Sequence, residues 1–301
     1  MTQTPLGEQR GLALPRRFGL LHQPFHLWLA DVLKASAIGA VLGIAAALVV
    51  YGLLRVTPWW WSWAALIFLA GYALLALAAP ILLVPLFYTL TPLADADLRD
   101  RLLRLVTRAG VPVLGVWVAD QSRKSRTANA AVVGLGRTRR VLLFDTLLRE
   151  FTADEIETVL AHELAHQVHG DIGRGLLVQT ALTVATFWVA DHALRVGSRA
   201  LGLDGPADPA GLPLFGLVMT ALGIVALPVA NGWSRHVERQ ADAFALRLTG
   251  NAGAFIAAMQ RLASLNLAEP EPHPVKEFFL YSHPSIGRRV RRAQAAGRPP
   301  L

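Results

Sequence analysis

The chain has 301 residues, of which 53% are hydrophobic and only 17% charged, a balance that excludes an ordinary soluble domain and points to a membrane protein. Its net charge is +8, mostly from arginine. No basic stripe interleaved with aromatics accompanies it, so the expected partner is a lipid bilayer with basic cytoplasmic loops, not nucleic acid. Cysteine is absent, which excludes disulfides and thiolate metal sites and leaves histidine and carboxylates as metal ligands.

Residues 1–34 read as a polar to mixed cytoplasmic segment with Arg10, Arg16, Arg17 and Lys34. No early apolar core with a small-residue cleavage site follows Met1, which argues against a removable signal peptide. Residues 35–54 form an apolar run long enough to span a bilayer. After Arg55, Thr57 and Pro58 come Trp59, Trp60, Trp61 and Trp63, an interfacial aromatic belt. Residues 64–90 read as a second span that Pro80 and Pro85 kink or end early, so 35–90 is a two-span unit. Composition turns polar at Thr91. Residues 94–109 predict an amphipathic helix with Leu98, Leu102, Leu103 and Val106 on one face, stopped by Gly110 and Pro112. Strand-like runs follow at 113–119, 128–133 and 140–144, with a turn at Gly134 and Gly136.

A small sheet is thus expected just before the stretch T-A-D-E-I-E-T-V-L-A-H-E-L-A-H, residues 152–166. Thr152 and Glu155 form a candidate capping box, and Ile156, Val159, Leu160 and Leu164 an apolar stripe. His162 and His166 are four apart and share a helix face, so both imidazoles can point at one metal ion. Glu163, one step round, is placed to act as general base on a water there. H-E-x-x-H is the zinc-protease pattern.

Residues 91–175 therefore read as the first part of a metallopeptidase domain. Residues 176–232 hold two further spans, at 176–194 and 212–230, with Pro228 near the end of the second. The third span carries Asp191 and His192, either at the far interface or on a polar path between helices. Residues 233–301 read as the second part of the domain: helices at 233–248 and 252–267, a Pro- and Glu-bearing loop at 268–276, and a tail with Arg288, Arg289, Arg291 and Arg292. That tail either touches anionic headgroups or is simply solvated. With about four spans, both parts of the domain fall on one side, and the basic excess places that side in the cytoplasm.

A catalytic zinc takes three protein ligands and an open position. The stretch S-R-H-V-E-R-Q-A-D-A-F-A-L, residues 234–246, offers Glu238 and Asp242 on one helix face. Glu238 could complete a two-His, one-Glu site, and Asp242 could fix the tautomer of a ligand histidine. The competing reading is a solvated face with ion pairs to Arg235 or Arg239. His169 and His236 are spare, and His22, His26 and His273 have no role.

The combination of H-E-L-A-H, E-R-Q-A-D-A-F-A and Y-S-H-P-S-I-G-R-R resembles the membrane zinc metallopeptidases that include the CAAX prenyl endoproteases and the HtpX-like heat-shock proteases, which are gluzincins. P-L-F-Y-T-L-T-P-L, T-A-N-A-A-V-V-G-L-G and R-R-V-L-L-F-D-T-L-L are similar to the CAAX-type branch, whereas the span count and short N-terminal segment are more like the HtpX layout. The resemblance implies one Zn2+ per chain held by His162, His166 and Glu238, with Glu163 as base and Asp242 behind the ligands. It implies that His283 stabilises the oxyanion, that Arg289 serves the catalytic site, and that Asn129 and Ala130 belong to an edge strand that holds an extended substrate.

The expectation is a mainly α-helical integral membrane protein with a small β-sheet beside a zincin-like helix. Its function would be a CAAX prenyl protease-like zinc endopeptidase, multi-pass in the cell (inner) membrane, acting on peptides or proteins that are membrane-embedded or lipidated. The rival readings are quality control of misfolded membrane proteins and a catalytically inactive membrane scaffold.

Overall fold

The computed structural model describes residues 14–78, 82–134 and 136–297. Helix α1, Phe25–Val56, begins ahead of residue 35, where the apolar run starts. Its first turns stay helical despite their polar residues because Asp31 is partnered from outside the helix, by Gln23 at 2.9 Å and Lys124 at 2.7 Å. Helix α2, Trp60–Ala78, carries Trp60, Trp61 and Trp63 of the tryptophan belt in its first turn. Pro80 lies outside the described residues, and Pro85 falls in a one-turn helix, Val84–Phe87. Residue 90, expected to end the second span, instead opens strand β1, Leu90–Pro92. Three helices among the described residues are long and apolar enough to cross a membrane: Phe25–Val56, Asp171–Ala200 and Pro209–Thr249. The apolar stretch Trp60–Leu75 within α2 is shorter.

Outside the spans, α3 (Ala96–Arg108) precedes β2 (Val116–Ala119), β3 (Ala130–Val133), β4 (Arg140–Phe144) and the motif helix α4 (Ala153–Val168). The sheet order is β1-β2-β4-β3, with β2 and β4 parallel and the outer pairs antiparallel. β3 is therefore an edge strand. The β3–β4 turn needs Gly134: its φ is +94°, and a Cβ there would meet the Thr138 carbonyl oxygen at 2.8 Å. Ala128, Ala130 and Val132 alternate inward and join Val141, Leu143, Ile156, Leu160 and Leu164 in one core, so the motif helix lies on the sheet.

Helix α5, Asp171–Ala200, is the third expected span. The fourth span and the helix expected after it are one rod, α6, Leu212–Thr249, running through Pro228 without a break. A proline in a membrane helix removes one ladder bond and does not end it when the rest of the turn is satisfied. Helix α7 (Ala252–Leu265) packs on α4, and helix α8 (Pro274–Leu280) occupies part of the expected loop. The arginine-rich tail forms helix α9, Ile286–Ala296, packed on α7.

A second core, around Trp60, Phe187, Ala190 and Leu194, ties α2 to α5 near the α1–α2 turn. Asp191 is buried there. It accepts from Trp60 Nε1 at 2.7 Å and Arg195 Nε at 2.8 Å, and Arg195 reaches the Pro58 carbonyl. Asp191 thus locks the corner beside the tryptophan belt, while His192 is exposed and bonds the Trp188 carbonyl. Asp191→Ala leaves a buried indole N–H unpaired, which costs about 1–3 kcal/mol. The thermal midpoint in detergent should fall while metal content stays unchanged.

Candidate metal centre

The capping box forms as the sequence predicts. Thr152 Oγ1 accepts from the Glu155 amide at 3.3 Å, and Glu155 Oε2 accepts from the Thr152 amide at 2.8 Å. This fixes where α4 starts, and its apolar stripe fixes its rotation on the sheet. His162, Glu163 and His166 are left on the side facing α6. The two imidazole rings lie 5.1 Å apart at 86°.

Helix α6 brings Glu238 against both. Glu238 Oε2 lies 3.1 Å from His162 Nε2, and Oε1 lies 3.7 Å from His166 Nε2. One ligand atom from each of the three residues falls within 4.8 Å of the others. The other nitrogen of each ring is engaged. His162 Nδ1 is 2.9 Å from Asp242 Oδ1, and His166 Nδ1 is 2.9 Å from Asp171 Oδ2. With each Nδ1 donating to a carboxylate, both Nε2 atoms present lone pairs toward Glu238. Glu238 Oε2 is buried, and its neighbour is His162 Nε2, a contact that becomes a hydrogen bond only when that ring is protonated. Acceptors converging in a buried space require a cation between them. Two imidazoles and a carboxylate suit zinc, so the residues fit the metal that the motif implies.

Asp242 is itself held by Arg289, which donates from Nε to Oδ2 at 2.9 Å and from Nη2 to Oδ1 at 2.5 Å. Arg289 is buried on α9, and its Nη2 also lies 3.4 Å from His162 Nδ1. Its guanidinium is committed to the carboxylate, so Arg289 orients the ligand set from behind. Asp171 was not among the residues picked from the sequence. It opens α5 just after Gly170, whose φ of +66° turns the chain back toward α4, and it is braced by Arg174 at 3.0 Å. A search for a carboxylate partner to each ligand histidine would have pointed to it.

His283, on the loop between α8 and α9, reaches the same centre, its Nε2 being 3.4 Å from Glu238 Oε1. Ser282 Oγ lies 2.9 Å from its Nδ1. A cleft of about 560 Å³ opens in front, lined by Asn129, His162, Glu163, Tyr281, His283 and Arg289 among others. Burial pushes the Glu163 carboxyl above its ordinary range. Burial alone would lower the His162 pKa, but hydrogen bonds to Asp242 and Glu238 outweigh it and raise the ring to about 9.

The β3 edge runs beside the cleft. The Asn129 carbonyl accepts from the Phe144 amide at 3.1 Å, so in this register Ala130 and Val132 turn their backbone groups to the open side. Asn129 Oδ1 accepts from the Ala130 amide at 2.9 Å, and Gln167 Nε2 donates to the Val132 carbonyl at 3.1 Å. His236 is exposed on α6 and bonds Gln240 and Arg239, away from the ligand cluster, and His169 stacks edge-on against Phe244.

Residues 92–296 match Peptidase family M48. The chain belongs to this family. Residues 3–89 match a second family, described as CAAX prenyl protease N-terminal, five membrane helices. Among the described residues, that stretch of this chain holds two long helices, α1 and α2. The likeness to the CAAX-type branch therefore extends through residues 3–89. The chain is 31% identical over 239 residues to the uncharacterized metalloprotease YhfN of Bacillus subtilis, covering 78% of this chain and 56% of that one. It is 29% identical over 300 residues to the CAAX prenyl protease 1 homolog of Arabidopsis thaliana, covering 97% and 69%. It is 30% identical to protease HtpX of Glaesserella parasuis, covering 65% and 72%. The crystal structure of S. mikatae Ste24p superposes with a TM-score of 0.85 at 27% identity, covering 96% of this chain and 71% of that one.

Two outcomes are expected from this geometry. Arg289→Met leaves the buried Asp242 carboxylate without its cation, and breaking such a pair costs about 3–5 kcal/mol, readable as a lowered thermal midpoint. Because the His162 pKa is raised to about 9, a metal entering chelator-stripped protein must displace a proton at neutral pH. Metal affinity should then climb about tenfold per pH unit from neutrality toward pH 9 and level off above it, measured by competition with a chromophoric chelator.

Proposed function

We propose that the chain is an integral-membrane zinc metalloendopeptidase that binds an extended peptide in the cleft and hydrolyses it at the membrane face. The observation that carries this reading is the convergence of His162, His166 and Glu238, whose ligand atoms lie within 4.8 Å of one another at the cleft that Glu163 lines. His162, His166 and Glu238 hold one Zn2+, with Asp242 and Asp171 fixing the two imidazole tautomers. Bound there, zinc supplies Lewis acidity toward the scissile carbonyl and acidifies the attacking water. Glu163, its pKa raised by burial, takes the proton from that water and hands it to the leaving amine nitrogen. His283 stands at the mouth of the centre, where its imidazole stabilises the charge that develops on the carbonyl oxygen. Arg289 serves these steps by holding Asp242 against His162. The β3 edge at Asn129 and Ala130 receives the substrate by strand addition.

The basic excess on the side that carries the domain supports a site facing the cytoplasm from a cell (inner) membrane. The likeness to CAAX prenyl protease 1 homologues over nearly the whole chain favours lipidated peptides as substrates. The likeness to protease HtpX favours misfolded membrane proteins, and competition between a prenylated peptide and an unfolded membrane substrate separates the two.

Glu163→Ala should keep stoichiometric zinc and lose about 10²–10⁴-fold in turnover. Glu238→Ala should lose zinc and cleavage together. His283→Ala should retain zinc and lower kcat about 10²–10³-fold. Stoichiometric zinc in a wild-type protein that cleaves neither substrate class would replace this reading with the inactive scaffold.

A further inference from the structure

We infer that helix α8 is a membrane-docking element: its face formed by Val275, Phe278 and Phe279, with Leu280 at its end, sits in the headgroup–acyl boundary and ties the His283 loop to the bilayer. At positions i, i+3 and i+4 these three side chains share one face. They are 59%, 50% and 41% exposed, and Leu280 is 66% exposed. None of them lines the cleft, so the face is not part of the substrate site already described.

Three observations identify lipid as the occupant. The first is continuity with a membrane helix. Asn231, where the apolar stretch of α6 ends, donates to the Phe279 carbonyl at 2.6 Å, so α8 stands at the level where α6 leaves the bilayer. Ile224, Val225, Leu227 and Val229, just before it on α6, are all exposed apolar residues of the span. The second is the fate of the α8 carbonyls. A helix of seven residues on a wet surface leaves its last carbonyls to water. Here α6 supplies side-chain donors instead: Arg235 Nη1 to the carbonyls of Glu277 at 3.0 Å, Phe278 at 3.3 Å and Tyr281 at 2.6 Å, and Asn231 to that of Phe279. Protein partners for every one of these groups are what a helix end needs where water is scarce. The third is the composition at that level. Trp233 lies there on α6 with the Arg174 guanidinium 5.4 Å from its ring, an aromatic and basic pairing of the membrane–water boundary.

The consequence for the site follows from the same helix. Buried Glu277 accepts from the Ser285 amide at 3.3 Å, so the far side of α8 holds the loop that carries His283. Membrane contact on one face and the His283 loop on the other make α8 a positioning element for the catalysis proposed above, and this second half rests on that reading.

The absence of cysteine makes single-cysteine labelling clean. Nitroxide labels at Val275→Cys, Phe278→Cys, Phe279→Cys and Lys276→Cys would be read in phosphatidylcholine–phosphatidylglycerol nanodiscs by their relative accessibility to oxygen and to a water-soluble nickel chelate. The apolar-face labels should favour oxygen and the Lys276 label the chelate. Chelate accessibility on the apolar face equal to that at Lys276 shows a free face and overturns the docking, and low accessibility to oxygen and chelate alike shows a face covered by a second copy or another protein and overturns it too. The three apolar positions report independently, so one misfolded variant does not remove the test. In the second arm, Phe278→Ser/Phe279→Ser in nanodiscs should keep its zinc and lose about ten- to a hundredfold in kcat as the loop shifts. An unchanged kcat overturns the coupling. If the wild type cleaves nothing, the proposed activity fails while the labels still decide the docking.

Discussion

Everything at the centre follows from one electrostatic constraint: the His162 and His166 Nε2 atoms and the Glu238 carboxylate converge at the base of the cleft. Such a cluster is unfavourable unless a cation occupies it, as a proton shared with His162 or as a metal ion. The raised His162 pKa is the first of these solutions. The surrounding structure removes every other one. Asp242 and Asp171 take the outward nitrogens, and Arg289 saturates Asp242 with a two-point contact. The rings cannot turn to escape without breaking these bonds, so the three side chains are held in an arrangement that could bind a metal ion.

The scaffold that sustains this arrangement is a division of labour between two helices. Helix α4 is fixed on the sheet by its capping box and apolar stripe, which sets the depth and rotation of the histidines. Helix α6 is a single rod that begins in the membrane and ends in the domain. Toward its end it carries Arg235, which holds α8 carbonyls, and Glu238 and Asp242, which meet the two nitrogens of the His162 ring. Because the rod is continuous through Pro228, the ligand carboxylate is mechanically part of a membrane span.

The likeness to Ste24p covers nearly this whole chain but only 71% of the other, so the shared part is this core of spans, sheet and site. Helix α2 packs on α5, and the buried Trp60–Asp191 bond locks that corner. The charged residue inside a span thus has a structural reason, since an indole N–H and a guanidinium satisfy it completely among apolar neighbours.

By itself the sequence determined the local and periodic features. The i, i+4 spacing of His162 and His166, the capping box at Thr152, the strand runs, the turn at Gly134 and the apolar spans all depend on neighbours a few residues away, which a linear reading captures. The three expected strands, the motif helix and the pairing of Glu238 with Asp242 on one helix face are found where the pattern puts them. Tertiary structure decided what depends on contacts across the chain. It decided that Asp242 serves His162 and Asp171 serves His166, that Arg289 grips Asp242 from α9, and that residues 90–92 add a strand to the sheet. It also decided that α6 passes through Pro228 and that α8 begins inside the stretch 268–276 that reads as a loop. Those outcomes are set by where distant side chains find hydrogen-bond partners, as with Arg235 and the α8 carbonyls, and no local propensity encodes them.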